Sequence, residues 1–382
     1  VINPDFDESA DENAANTKYL FTDLATALMT LIMRRDLPNY SNVDFYPYLK
    51  DQPKLRDAFN LFTGFSMANY RPRMSYEYAQ SAMYDHIFRY MCDADKVVFT
   101  YLQKWIAYMI QYPSRRPDVA ILFVSDQGMG KDMVRRFISA MLGSEYSICF
   151  NDVEAFFKCF NKEQANKIFI TLNELSDKGT THSKHDLYKS HITKDANRIE
   201  PKGFDAYPVR HSGHYMNFSN NSQCLFIENS DRRFVMIKAN SEVANKHEHF
   251  DPLWALVSNR DFIKSAFDYY ANMDLSDFVV RKIPNTKFKD EQKLNSLPTP
   301  MKFLLDVLGD DGFQNIADCT RVCEENSDEI TISMKAMFEY YNEWCNDTRT
   351  KGTTRDAFKN QLLKLGLKSK RVSLGGDFPK RT

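Results

Sequence analysis

"ILFVSDQGMGKDM", residues 121–133, decides how the rest of the chain is read. An apolar run stops at Ser125. Gln127-Gly128-Met129-Gly130-Lys131 follows, and an amphipathic segment opens at Asp132. Strand, glycine loop and helix, in that order, build a phosphate-binding loop. Gly128 and Gly130 let the backbone approach phosphate oxygens. Amides at the helix start and the Lys131 ammonium supply the positive potential a polyphosphate needs. Met133, Val134, Phe137, Ile138, Met141 and Leu142 keep one apolar helix face, and Gly143 is placed to end it. Gln127, Gly128, Met129, Gly130, Lys131 and Asp132 are therefore the expected ATP-binding residues. Two letters depart from the usual loop. Ser125 stands where the first glycine is common, and Asp132 where a Ser or Thr hydroxyl touches magnesium. A carboxylate is a good hard ligand and suits a first helical turn, yet it puts negative charge beside a triphosphate.

Outward from the loop the texture supports an α/β core. "VAILFV" (119–124), "KIFITL" (167–172), "YMNFS" (215–219) and "FVMIKA" (234–239) are short apolar runs. Such runs suit strands buried on both faces of a sheet, and their alternation with helical stretches predicts a doubly wound ATPase core. Upstream, "YLFTDLATALMTLIMRR" and "DKVVFTYLQKWIAYMIQY" have helical spacing of apolar residues, and Pro113 and Pro117 punctuate the chain after them. The expected domains are an acidic flexible terminus (1–17), a helical unit (18–115), the ATPase core (116–280), a polar, proline-bearing linker (281–300) and a basic unit (301–382). In that last unit, "TISMKAMFEYYNEWCND" and "RDAFKNQLLKLGL" read as helices and "KSKRVSLGGDF" as a short hairpin, the parts of a winged-helix module.

Composition narrows the class. The 382 residues carry a net charge of −1 with 43% hydrophobic residues, ordinary for a globular protein. No run of about 18 apolar residues exists to span a membrane, so no membrane partner is expected. The seven cysteines form no CxxC pair, which points to a reducing compartment such as the cytoplasm. Cys319/Cys323, His182/His185 and His211/His214 lack the companions of a zinc site, and the histidines read as surface or loop residues. Charge is uneven. Residues 5–12 hold five acids and no base, while Arg349–Thr382 holds ten Lys/Arg against Asp356 and Asp377, which suggests a polyanion partner. The chain begins with Val1 rather than Met, so a missing upstream part is expected.

Three further signals follow the loop. "KIFITLNE" ends in Asn173-Glu174, where a carboxylate beside the phosphates can polarise water and help hold magnesium. "YMNFSNN" offers Asn220, with Asn221 behind it, to sense the γ-phosphate. "ENSDRRFVMI" sets Arg232 and Arg233 before a strand, as suits a finger reaching a neighbouring subunit. Such arginines also commonly pair with acids, and Asp231 is adjacent.

Glycine loop, Asn-Glu strand end, "IEPKG", "FSNN" and "DRRF", in this order, resemble the superfamily 3 helicases, nearest the primase–helicases of phages and poxvirus-type large DNA viruses. The resemblance is firm over residues 84–240. It implies an AAA+-like P-loop NTPase core, a homo-hexameric or similar ring on single-stranded DNA with residues 18–115 as its oligomerisation collar, and ATP with Mg2+ as cofactors. It also implies an upstream primase–polymerase domain in the same chain. By motif, Lys131 binds phosphate, Asn173 and Glu174 serve magnesium and water with Asp132 as a further metal ligand, Asn220 is the sensor, and Arg232 or Arg233 the trans finger. A hairpin lining the DNA channel maps near 198–214, with Arg198, Lys202 and Arg210 for phosphates, Gly203 for the turn, and Phe204 or Tyr207 to stack on a base. The expected function is an ATP-dependent ring helicase or translocase in phage or viral DNA replication. The alternative is a hydrolysis-deficient oligomeric ring that tethers a primase–polymerase to template.

Overall fold

A computed structural model of the chain describes residues 40–47, 58–151, 153–157, 161–173, 182–221, 231–309, 319–324 and 327–369. Two short strands, Asn42–Asp44 (β1) and Ala58–Asn60 (β2), pair in parallel. A helical turn, Ala82–His86 (α1), continues as a π-turn through Met91. Lys96–Gln111 (α2) follows, capped by the Asp95 carboxylate on the Val97 and Val98 amides. Then come Ala120–Val124 (β3), Lys131–Leu142 (α3), Ser147–Phe150 (β4) and Phe169–Leu172 (β5). His182–Thr193 (α4) leads into an antiparallel hairpin, Ala196–Ile199 (β6) and Tyr207–Arg210 (β7). His214–Ser219 (β8), Phe234–Lys238 (β9), His247–Ser258 (α5) and Arg260–Ala271 (α6) complete this unit.

The main sheet has five strands in the order β4-β5-β8-β3-β9, all parallel. Period-2 alternation builds its two faces. Ile121, Phe123, Met216, Phe218, Val235 and Ile237 point into one core with α1, α2, α3, α5 and α6. Tyr215 and Phe234 point the other way, where Tyr188 of α4 meets Tyr215 edge-on at 5.8 Å and Phe234 at a tilt at 6.0 Å. The Tyr188 hydroxyl donates to Asn217 Oδ1 at 2.6 Å, so the polar residue at the sheet centre is satisfied. Helices on both faces make the parallel sheet an α/β core.

Several expectations change. Buried residues of the expected collar from Phe45 to Ile110 share one hydrophobic core with the sheet. The first expected helix, residues 19–35, lies outside the described residues. The stretch read as a linker contains a helix, Lys287–Asn295 (α7), that belongs to a second compact unit, made of the segment ending at Asp231 and the chain from Asn285 onward. Thr286 caps it, and Lys289 is buried beside Asp231, 3.4 Å from its carboxylate. In this unit Thr299–Gly309 (α8) precedes an antiparallel hairpin, Cys319–Glu324 (β10) and Ser327–Ile332 (β11), then Met334–Asp347 (α9) and Arg355–Lys364 (α10). Phe303, Met337, Tyr341, Phe358 and Leu362 form its core. The hairpin expected over "KSKRVSLGGDF" falls almost wholly outside the described residues. No helix among the described residues is long and apolar enough to cross a membrane.

His211 and His214 are buried, contrary to their reading as surface or loop residues. Asn197 donates to His211 Nδ1 at 2.9 Å, which leaves Nε2–H to face the Tyr215 hydroxyl at 3.2 Å. Burial pushes His211 down to about 3, and His86, His191 and His214 to about 4, from 6.5. The unfolded chain protonates these rings near pH 6.5, while the folded chain keeps them neutral. Their contribution to stability is complete above that pH and is lost as pH falls toward 4. The thermal midpoint at pH 5 should therefore lie several degrees below that at pH 7.5; a flat profile across this window would contradict the buried neutral histidines.

Candidate nucleotide and nucleic-acid site

The sheet brings the carboxyl ends of β3, β5 and β8 to one edge, where ligands bind in open parallel sheets. After β3 the chain turns through Gly128 and Gly130, at φ of +84° and +80°, left-handed conformations that favour glycine. Gly130 caps α3, so the first amides of that helix open onto the loop. The expected strand, loop and helix are all present, and α3 buries the six apolar residues named for it.

Lys131 lies in the first turn of α3 and reaches back over the loop. Its Nζ donates to the carbonyls of Ser125 at 3.1 Å and Ser219 at 3.4 Å, and to Asn220 Oδ1. The ammonium thus ties the tips of neighbouring strands β3 and β8. Ser125 is buried and its Oγ donates to the Asp126 carbonyl. Asn220 sits one residue beyond β8, exposed; Asn221 donates its amide to Ser219 Oγ at 3.0 Å. Asn173, at the tip of β5, is half-buried and donates its amide to the Phe150 carbonyl at 2.8 Å. It is two strands from β3, about 10 Å by strand spacing. Glu174 lies outside the described residues.

Asp132 does not reach into the loop unpartnered. Arg135 donates to its Oδ1 from Nε at 2.8 Å and Nη2 at 2.5 Å, and Arg136 donates to Oδ2 at 2.6 Å. Desolvation raises its pKa, but hydrogen bonds and charge from the two arginines outweigh this and hold it below the usual carboxylate range. The i+3 and i+4 spacing was readable in the sequence. Asn245 was not. It sits 117 residues downstream of Gly128, donates its amide to the Gly128 carbonyl at 3.2 Å, and covers the loop. His86 and His249 pair at 2.9 Å beneath Gly130, another long-range contact with no local signal.

Arg232 and Arg233 are not at this edge. They precede β9, and the Arg233 carbonyl accepts from the Ala120 amide at 2.7 Å, at the amino end of β3. One strand length of about 16 Å separates that end from the loop. Arg232 is exposed and Arg233 half-buried. Asp231 is engaged by Lys289.

The β6–β7 hairpin also starts from the amino edge. Asn161 pins it through the Arg198 carbonyl at 2.9 Å and the Glu200 amide at 2.8 Å. Arg116 holds its base, donating to the Lys194 carbonyl, to Asp118 and to Asp195. Gly203 turns the tip at φ +81°, and Phe204 there is 79% exposed. Arg198, Lys202 and Arg210 are all exposed on this hairpin. Arg198 lies 3.5 Å from Glu200, and Arg210 sits 5.1 Å over the Tyr46 ring.

A Cβ added at Gly128 would lie 2.0 Å from Asn245 Oδ1. Gly128→Ala should lower stability by about 1–3 kcal/mol through this clash and the left-handed backbone. Asn245→Ala in that background should recover only the steric part, as read by denaturant unfolding. A Gly128→Ala protein as stable as wild type would contradict the described loop.

A family model described as a family of unknown function (DUF5906) matches residues 123–233. That stretch runs from inside β3 to Arg233, so it contains the glycine loop, Asn173, Glu174, Asn220, Arg232, Arg233 and the β6–β7 hairpin, and leaves out the basic segment from Arg349 onward. The DNA primase-polymerase of Nitratiruptor phage NrS-1 is 25% identical over 164 residues, 42% of this chain and 22% of that protein. The matched region is thus less than a quarter of that relative's length. Two apo structures of the NrS-1 C-terminal region superpose with TM-scores of 0.58 and 0.59, at 21% and 20% identity. They cover 74% and 73% of this chain and 67% and 68% of theirs, a likeness of fold.

Proposed function

We propose that this chain is an ATP-driven translocase module of a phage DNA-replication protein, working as a ring on single-stranded DNA. The observation that carries the reading is the Lys131 ammonium, held at the mouth of a glycine loop by the tips of two parallel strands. Incoming phosphate oxygens would replace those carbonyl partners and take up the Lys131 charge. Amides of the Gly128–Asp132 turn would bind the same phosphates. Asn220, already within reach of Lys131, would sense the terminal phosphate, and Asn173 with Glu174 would orient water. Asn173 and Glu174 would offer hard oxygen donors to magnesium, while the Asp132 carboxylate is already engaged by Arg135 and Arg136. Magnesium bound with the nucleotide supplies charge neutralisation on the phosphates.

Arg232 and Arg233 lie a strand length from the loop of their own chain, which favours a role in a neighbour's site and hence a ring. The exposed Phe204 and the basic residues of the β6–β7 hairpin form a stacking and phosphate-contacting element suited to a single strand. The relation to a phage DNA primase-polymerase supports a replication role and an upstream primase–polymerase domain. The second reading, a ring that binds DNA without turnover, is favoured by Asp132, whose two oxygens are already engaged by arginines.

ATP hydrolysis with and without single-stranded DNA separates these readings. Turnover stimulated by DNA and lowered at least about a hundredfold by Lys131→Ala is expected. Turnover that appears only in Asp132→Ser would favour the non-hydrolysing ring, and none in either protein would overturn the motor. Phe204→Ala should weaken single-strand binding roughly fivefold or more while nucleotide affinity stays unchanged; unchanged DNA affinity would remove the hairpin from the DNA contact.

A further inference from the structure

The proposed nucleotide site carries an acid where a hydroxyl is usual, and the acid is not left free. We infer that Arg135 and Arg136 form a clamp that turns the Asp132 carboxylate back along its own helix, so that the loop accepts a polyphosphate without the usual hydroxyl. This inference rests on the nucleotide reading above.

The geometry is specific. Arg135 brings two nitrogens to one carboxylate oxygen, and Arg136 brings one to the other. Helical side chains lean toward the N-terminus, so residues three and four positions on are the ones that can reach back to Asp132. Each arginine is itself held. Arg135 is largely buried, and the Arg136 guanidinium sits 5.7 Å from the Trp254 ring centroid. Lys131 and Asp132 alone would cancel, leaving the helix start neutral toward a nucleotide. With the two arginines the first two turns carry a net charge of +2. Orientation matters as much as charge. A released carboxylate can rotate toward the phosphates, where repulsion grows with each phosphate charge. A pair that only stabilised the helix would not distinguish one phosphate from three.

The test is a double-mutant cycle read by equilibrium binding of ATP, ADP and AMP. Arg135→Gln with Arg136→Gln should weaken ATP about tenfold, ADP less, and AMP hardly at all. In an Asp132→Ser background the same pair should cost less than about threefold, because no carboxylate remains to be released. Arg136→Gln alone, at the more exposed arginine, should cost ATP about threefold and serves if the double variant fails to fold. Equal losses in both backgrounds, or equal losses for all three nucleotides, would overturn the clamp. Either pattern, in a protein whose wild type binds ATP, sinks the clamp alone. Wild type that binds none of the three sinks the nucleotide reading, and the clamp with it.

Discussion

Lys131 is held by carbonyl oxygens that only a parallel arrangement can present together. Ser125 follows β3 and Ser219 ends β8, and the two strands run side by side in the same direction. A lone ammonium gathers both tips, together with Asn220. This depends on a sheet with both faces covered, since β3 and β8 expose almost nothing to solvent. Packing of α1, α2, α3, α5 and α6 on one face, and α4 on the other, fixes where the loop opens. The left-handed glycines then set the path of the backbone into α3.

The parallel sheet also divides the residues between two edges. Loop, Lys131, Asn173 and Asn220 share the carboxyl edge. Arg232, Arg233 and the base of the β6–β7 hairpin share the amino edge, where Arg116 ties Asp118 to the residues just before β6. On the proposed reading, one protomer binds nucleotide at one edge and offers arginines and a DNA-contacting hairpin at the other. Such a layout works when subunits stand next to one another, so that the arginines of one chain meet the phosphates of the next.

Much of the core was legible because buried parallel strands have a plain signature. The four apolar runs became β3, β5, β8 and β9 within two residues at either end. β4 was missed because "SICF" is only four residues long and lies at the sheet edge, partly exposed. α7 was hidden because its buried positions include Lys289 and Gln292, polar residues that mimic a linker. Lys289 is buried beside Asp231, a pairing set by tertiary structure and invisible to periodicity. The strand, glycine turn and helix of the loop were readable because their conformational signals are local. The long-range parts were not: Asn245 over Gly128, and the His86–His249 pair beneath Gly130, come together only when distant segments fold. The buried state of His211 and His214 is of the same kind, because their partners Asn197, Tyr215 and Ser212 are assembled by the hairpin and β8.

Amide hydrogen exchange with and without ATP and magnesium tests the central claim most directly, since it locates the ligand on the backbone. The account predicts slowed exchange in residues 126–132 and 219–221, where loop amides and the β8 tip meet the phosphates, and loss of that protection in Lys131→Ala. Unchanged exchange in those two segments at saturating ATP, or protection confined to another part of the chain, would contradict it.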